Sequence, residues 1–335
     1  MKPSDILQTL PGLMKLQRPV FIWGKPGVGK SSLVAQLAES MNLELRDVRM
    51  SQLDSVDLRG FPVPDTQKNQ MKWLPADFLP QKGAKPSILF LDEMNGAMPA
   101  TASAAYQLIL DRRLGNYVLP DNCHLIAAGN YKDDRGVTHD LPAPLNNRFM
   151  HIDFTLDAND WLQRAAEDKI HPHIRAYITM KNQALHVFDA DRNPKAFPTP
   201  RTWYFLSDFY SNDALKRLDI TIELAKGTVG EGAATEFIGF VKNLADMPDM
   251  DDILANPKTA RLPGSQPVIY AVITTLADKV TKTNFGHLMI YVERLEKEFQ
   301  TLFVRMCIKN EKASTSVRSS KAFTTWCLTN QEFVL

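Results

Sequence analysis

The stretch that most constrains this chain is Phe21 to Ser32, an apolar run followed by a glycine-rich turn and then Lys30-Ser31. Val20 to Trp23 is typical of a buried strand, and the apolar spacing from Ser31 to Met41 indicates a helix. A glycine-rich turn between a strand and a helix is the context in which G-x-x-x-x-G-K-[ST] binds phosphate. An ordinary glycine-rich connection has no use for a Lys-Ser pair at the helix start, so the phosphate loop is the favoured interpretation.

The chemistry of this loop follows from its spacing. Glycines leave no side chain between the backbone amides and a phosphate oxygen, and the helix that follows adds the positive end of its dipole at the same point. Lys30 is predicted to reach the β- and γ-phosphates, and the Ser31 hydroxyl to bind Mg²⁺. The residues predicted to contact the nucleotide are Gly24, Lys25, Pro26, Gly27, Val28, Gly29, Lys30, Ser31 and Ser32.

Further along the chain, Ser87 to Leu91 is apolar and leads into Asp92-Glu93. This pattern predicts a buried strand whose two carboxylates lie at the carboxyl edge of a parallel sheet, where ligands bind in such folds. Asp92 is predicted to hold Mg²⁺ through its water shell, and Glu93 to orient and deprotonate the attacking water. Two acids after a strand can also cap a helix, but the upstream phosphate loop favours the nucleotide site.

Two more polar residues adjoin predicted strands. The strand His124 to Ala128 ends in Gly129-Asn130, and the Asn130 amide would lie beside the two carboxylates. A plain turn asparagine is the alternative. Arg148 precedes a predicted strand at Met150 to Phe154. Judged by the residues alone, Arg148 is a surface charge or a salt-bridge partner.

The flanking regions read as helical. Residues 1 to 18 predict an amphipathic helix broken at Pro11-Gly12. Beyond Leu156, helical patterns replace strand patterns. One long helix is predicted near the end of the chain, from an apolar stripe made of Leu288, Tyr291, Leu295, Phe299 and Leu302.

Composition limits the class of protein. The chain has 335 residues, of which 44% are hydrophobic and 23% charged, as in a globular protein of two or three domains. A net charge of +1 gives no overall basic field for nucleic acid. No apolar run reaches the length of a membrane span and no signal peptide is recognised, so we expect a cytoplasmic protein. Cys123, Cys307 and Cys327 lack metal spacing, which suits a reducing compartment.

These motifs together resemble the AAA+ ATPases and, within them, the MoxR-like branch, over roughly residues 20 to 210. The similarity lies in the GKPGVGKS loop, the LFLDEMN strand, the IAAGN strand end, the LPAPLNNRF segment and the TPR helix start. It implies ATP hydrolysis with Mg²⁺ and an α/β fold, namely a RecA-like αβα core with a parallel sheet flanked by helices, an all-α lid and a helical C-terminal segment. The expected bounds are 1–155 for the nucleotide-binding domain, 156–260 for the lid and 261–335 for a helical extension of unknown role.

The resemblance also implies roles for single residues. Asn130 corresponds to sensor 1, Arg148 to an arginine finger that acts in the next subunit's site, and Arg201 to sensor 2. Residues 54–74 resemble the helix-2 insert of the branch, and residues 114–120 its pre-sensor-1 hairpin. Both would project toward the face or pore of a ring.

The resemblance implies a ring, usually of six subunits, that acts as a chaperone-like remodelling or assembly factor on a client protein. Relatives often act with a separate protein that carries a von Willebrand A domain. The alternative is a nucleic-acid-directed motor or loader, which the near-neutral charge disfavours. A non-hydrolysing nucleotide switch is a third hypothesis, against which Glu93 argues. Gly96 departs from the family pattern, because many relatives carry a basic residue there.

Overall fold

The computed structural model forms two compact units, Met1–Asp157 and Ala158–Leu335. The first contains all the strands of the described residues, and the second is helical. The predicted boundary near residue 260 is not a division between these two units and stays a prediction. The structure describes residues 1–67, 69–134, 138–189, 195–212, 218–281, 283–310 and 313–333.

Five of the described strands form one sheet in the order β2-β5-β8-β1-β9, and every neighbouring pair is parallel. The other strands form two antiparallel hairpins, β3-β4 and β6-β7. The strands are β1 (Val20–Trp23), β2 (Glu44–Arg49), β3 (Phe61–Asp65), β4 (Gln70–Leu74), β5 (Ser87–Asp92), β6 (Arg113–Leu114), β7 (Tyr117–Val118), β8 (Cys123–Gly129) and β9 (Met150–Asp153).

Helices surround this sheet and make up the second unit. The first unit contains α1 (Pro3–Lys15), α2 (Lys30–Ser40), α3 (Ser55–Arg59), α4 (Pro99–Asp111) and α5 (Ala143–Asn146). The second unit contains α6 (Ala158–Glu167), α7 (Pro172–Met180), α8 (Pro200–Tyr210), α9 (Leu218–Val229), α10 (Glu231–Asn243), α11 (Met250–Ala255), α12 (Gln266–Asp278), α13 (Phe285–Val292), α14 (Lys297–Lys309), α15 (Ser314–Arg318) and α16 (Lys321–Thr329). Among the described residues, no helix combines the length and apolar character needed to cross a bilayer.

The sheet is buried on both faces, as parallel sheets are. Every residue of β5 is buried. Neighbouring residues of β1 enter different core clusters, with Phe21 on the face covered by α4 and α5 and Ile22 on the face covered by α1 and α2. The predicted α/β class, a parallel sheet between helices followed by an all-α part, is confirmed.

The first helix does not break where the sequence predicts. α1 continues through Pro11-Gly12 to Lys15. A proline inside a helix costs about 3 kcal/mol, but Ile6, Leu10 and Met14 are almost fully buried on one side of α1. Each buried side chain of this size contributes about 1.5–3 kcal/mol, so packing outweighs the cost of Pro11.

The single long helix predicted near the end of the chain is also wrong. α13 ends at Val292 and α14 begins at Lys297. The Gln300 side chain is buried and donates Nε2 hydrogen bonds to the Glu293 carbonyl at 3.1 Å and to the Leu295 carbonyl at 2.8 Å. A buried amide therefore satisfies the carbonyls that the interruption leaves open.

The two hairpins lie in the segments for which the resemblance implies insertions. β3 and β4 fall within residues 54–74, and β6 and β7 overlap residues 114–120. The β3-β4 hairpin exposes large apolar side chains, with Phe61 63% and Trp73 47% exposed. The roles implied for the two segments stay predictions.

Candidate active site

The turn between β1 and α2 begins at the carboxyl edge of the sheet. Gly27 has φ 72° and Gly29 has φ 105°, backbone angles that are strained for residues with a Cβ. Gly29 caps α2, so the helix starts at Lys30 with its amino end at the turn. This geometry suits the binding of an anion by backbone amides and by the helix dipole.

Lys30 lies inside this turn with 8% of its surface exposed. Its Nζ donates to the Gly24 carbonyl at 2.6 Å, the Lys25 carbonyl at 3.1 Å and Asn130 Oδ1 at 2.8 Å. These three acceptors are neutral oxygens. They hold the Lys30 ammonium at the loop that the motif predicts to bind phosphate.

Ser31 and Asp92 meet across the site. The Ser31 hydroxyl donates to Asp92 Oδ2 at 2.8 Å, and Asp92 is 9% exposed. A hydroxyl and a carboxylate are oxygen donors of the kind that Mg²⁺ prefers. The donor set thus fits the metal that the motifs imply, with Ser31 and Asp92 as the residues that would hold it.

Glu93 follows β5 in a left-handed conformation, with φ 52° and ψ 36°. Its amide donates to Asp92 Oδ1 at 2.9 Å, and its Oε2 accepts a hydrogen bond from the Ser51 hydroxyl. Sequence reasoning missed Ser51. Ser51 lies just after β2, and β2 is the neighbour of β5 in the sheet. In the sequence, Ser51 is only a polar residue after a strand, and the sequence does not say where that strand lies in the sheet.

The end of β8 brings Asn130 into the same site. Its side chain accepts from Lys30, and its main chain is hydrogen-bonded to the Asn95 side chain. Asn95 was quoted in the strand motif but given no role by sequence reasoning. Lys30, Ser31, Asp92, Glu93 and Asn130 are therefore linked by hydrogen bonds or adjacency at one edge of the sheet.

A second carboxyl group, that of Asp47, interacts electrostatically with Asp92. Asp47 lies on β2, beside β5. Burial is the main cause that raises the pKa of Asp47; the charge of Asp92 raises it further, and Arg49 opposes the shift. Added cations, such as a divalent metal at Asp92, would relieve this repulsion.

Arg148 lies at the other edge of the sheet. β1 and β9 run parallel in a register that pairs Val20 with Met150 and Trp23 with Asp153. Since β9 rises about 10 Å over its length and Arg148 precedes it, Arg148 is separated from the turn after Trp23 by more than an extended arginine side chain. The side chain is exposed. The structure therefore does not bring Arg148 to the Lys30 site of the same chain.

Arg201 belongs to the second unit, at the start of α8. Thr199 caps this helix by accepting from the Thr202 amide at 3.1 Å, and Pro200 occupies the first helical position. The predicted Thr-Pro-Arg helix start is confirmed. Arg201 is exposed, and its role as sensor 2 stays a prediction.

Comparisons with known proteins agree with this geometry. Residues 20–156 match the family model described as "ATPase family associated with various cellular activities (AAA)". Midasin of Giardia intestinalis is 30% identical over 149 residues, which cover 42% of this chain and 3% of that protein. Midasin of Dictyostelium discoideum is 30% identical over 151 residues, which cover 42% of this chain and 2% of that protein. The chain thus corresponds to a small fraction of these relatives.

A solved structure of the Thermotoga maritima RuvB Holliday junction branch migration motor is also similar. It has 16% sequence identity and a TM-score of 0.39, covering 87% of this chain and 86% of that chain. The family match starts at the first residue of β1 and includes β9. It therefore contains every strand of the parallel sheet and the hydrogen-bonded site residues Lys30, Ser31, Ser51, Asp92, Glu93, Asn95 and Asn130. Residues 20–156 therefore resemble an ATPase domain of this family over the whole of the parallel sheet.

Proposed function

We propose that the chain is an ATP-hydrolysing ring protein of the MoxR-like type that remodels or assembles a partner protein. The observation that carries this proposal is the convergence of Lys30, Asp92, Glu93 and Asn130 at one edge of the sheet. These are a cation, a metal ligand, a base and an amide donor. Together they are the groups that phosphoryl transfer to water requires.

In this proposal, each residue has a separate task in hydrolysis. Backbone amides of the loop and Lys30 bind the phosphates, and Asn130 holds the γ-phosphate or the attacking water. Glu93 accepts the proton of that water. Mg²⁺, when bound, neutralises charge on the phosphates. Ser31 and Asp92 are the chain's own groups that orient it.

A ring supplies the missing positive charge. Arg148 is exposed at the edge of the sheet opposite the phosphate loop, which supports the proposal that its guanidinium acts in the site of another subunit. An arginine delivered across an interface stabilises the charge that develops during phosphoryl transfer. Hydrolysis would then depend on assembly, and we propose a ring of six, as the resemblance implies.

The client is proposed to be a protein, with a partner carrying a von Willebrand A domain as the expected class. The exposed apolar side chains of the β3-β4 hairpin support a protein contact, since apolar patches on a surface mark interaction sites. A formal net charge of +1 gives no support to a nucleic-acid track.

The ATPase proposal is tested by steady-state hydrolysis with two variants. Lys30→Ala should bind ATP about 100-fold more weakly, because a charged hydrogen-bond partner is lost. Glu93→Gln should keep ATP affinity and lose about 10²- to 10⁴-fold in turnover. Unchanged ATP affinity in Lys30→Ala, or native turnover in Glu93→Gln, would contradict the assignment.

The client proposal is tested by comparing what the two variants retain from a native extract. With ATP, Glu93→Gln should hold a partner protein that Lys30→Ala, the matched control, does not. A purified partner with a von Willebrand A domain should then bind Glu93→Gln in an ATP-dependent manner. ATPase activity that is stimulated by DNA or RNA and falls steeply with salt would instead support the motor or loader.

A further inference from the structure

Asn95 makes two hydrogen bonds to the main chain of a single residue. It lies in the short 3₁₀ turn after β5 and is 4% exposed. Its Nδ2 donates to the Asn130 carbonyl at 2.8 Å, and its Oδ1 accepts from the Asn130 amide at 3.2 Å. One primary amide thus satisfies both polar groups of Asn130's main chain.

These two bonds link the ends of β5 and β8 beyond the last residues that pair between the two strands. The main-chain register between β5 and β8 ends at Leu91 and Ala127, while β8 runs on to Gly129. At Asn130, the residue after β8, the main chain is hydrogen-bonded to the Asn95 side chain and not to the main chain of β5. The carboxyl ends of β5 and β8 are therefore joined by a side chain beside the candidate site.

Gly129 makes room for this contact. A Cβ at position 129 would lie 2.3 Å from Asn95 Oδ1 and 2.8 Å from Phe21 Cζ. Both distances are far below van der Waals contact. Any larger residue at position 129 would push the Asn95 amide away from Asn130. The contact between Asn95 and Asn130 therefore requires glycine at position 129.

The position of the Asn130 main chain determines where its side chain lies, and this side chain contacts Lys30 in the candidate site. Asn130 Oδ1 accepts from Lys30 Nζ at 2.8 Å. The two bonds hold the Asn130 main chain at its N–H and at its carbonyl. When bound phosphate attracts the Lys30 ammonium, only the Asn130 side chain is free to reorient. Small errors in the placement of such a group can cost up to about 10²-fold in rate.

We propose that Asn95 is a positioning residue that sets the main chain of Asn130, and through it the amide that faces the γ-phosphate or the lytic water. The inference rests on the proposed ATPase function. Loss of the two hydrogen bonds should lower kcat about 10- to 100-fold. KM for ATP should change less than about threefold, because the loop and Lys30 bind the phosphates without Asn95.

The test uses two independent variants of the 335-residue chain. Asn95→Asp keeps the size and the acceptor but replaces the Nδ2 donor with an oxygen that repels the Asn130 carbonyl. Gly129→Ala leaves residue 95 an asparagine but displaces its side-chain amide. Asn122→Asp is the matched control, since the exposed Asn122 donates its Nδ2 to the Ala84 carbonyl at 2.9 Å, at the amino end of β8.

We expect Asn95→Asp and Gly129→Ala to share the loss of kcat, and Asn122→Asp to keep wild-type kcat. In an Asn130→Ala background, Asn95→Asp should add little further loss, because it acts through a side chain that is already absent. If Asn95→Asp lowered kcat by the same factor in the wild-type and Asn130→Ala backgrounds, the proposal would be overturned. Asn95 would then have a purely structural role, which a lower melting temperature would report.

The result also separates this inference from the proposed function. A wild-type chain without ATPase activity would contradict the proposed function and with it the role of Asn95. An active wild type, with kcat of Asn95→Asp and Gly129→Ala within about twofold of it, would contradict only the positioning role.

Discussion

At the carboxyl edge of the parallel sheet, the site residues contact one another. At the opposite edge, where the strands begin and which we call the amino edge, Arg148 is exposed to solvent. Lys30 is hydrogen-bonded to Asn130, and Ser31 to Asp92. The first edge has what is needed to bind a triphosphate and activate water. The second holds an exposed cation far from the site of its own chain. We propose that this difference marks a catalytic unit that is preorganised for binding and depends on another subunit for charge stabilisation.

The largest expected effect comes from the amino edge. Arg148→Ala should lose about 10³-fold or more in kcat, as in enzymes that use an arginine finger, and should keep its ATP affinity. Arg18→Ala is the matched control, because Arg18 is also exposed and precedes Val20 by the same two residues by which Arg148 precedes Met150. Steady-state kinetics and nucleotide binding measure both variants.

Equal kinetics for Arg148→Ala and Arg18→Ala would break the comparison between the edges. A large loss of ATP affinity in Arg148→Ala would also count against it. Arg148 would then act in binding rather than in the chemical step.

A smaller effect is expected at the carboxyl edge. Ser51→Ala removes the hydroxyl that donates to Glu93, so the base loses one of the contacts that orient it. The left-handed turn and the Glu93 amide bond to Asp92 remain. We expect the rate of the chemical step to fall about two- to tenfold, as measured in single-turnover assays. An unchanged single-turnover rate would show that Ser51 does not orient Glu93.

The smallest effect lies outside both edges, in the helical unit. Burial lowers the pKa of His173, whose Nδ1 is 3.1 Å from the Tyr210 hydroxyl oxygen. The unfolded chain therefore takes up this proton first as the pH falls below about 6.5, and the folded state loses stability down to the lowered folded pKa. His173→Asn, which keeps a hydrogen-bonding atom but does not titrate, should lose less thermal stability between pH 7.5 and 5.5.

Melting temperatures across that pH range check this expectation, with ATP turnover as a second measurement. The kcat of His173→Asn should match that of the wild type, because His173 is not among the residues assigned to the candidate site. An unaltered pH slope of the melting temperature would show that His173 does not carry the acid sensitivity.

The site was predictable where its residues form a continuous local pattern. Lys30 and Ser31 end a glycine-rich motif that follows one apolar strand, and Asp92 and Glu93 stand at the end of another, so the motif and the strand patterns together indicate their shared edge. Ser51 was not predictable. Its contact with Glu93 depends on β2 lying beside β5, which is a fact of topology and not of local sequence.

The fold errors have the same origin. Pro11-Gly12 is a strong breaker signal locally, but α1 is stabilised by side chains that pack on the sheet. The stripe from Leu288 to Leu302 fits one helix, but the break between α13 and α14 is satisfied by Gln300, which itself accepts from Trp326 Nε1 at 3.1 Å. Tertiary contacts overrode the local preference in both places.

Mixing two inactive variants tests most directly whether the two edges complete each other across a subunit boundary. Arg148→Ala keeps Glu93, and Glu93→Gln keeps Arg148, so a mixed ring contains sites that have both groups. With random assembly in equal amounts, ATPase activity should recover to about a quarter of the wild-type value. No recovery, in mixtures where differently tagged subunits co-purify, would contradict the account.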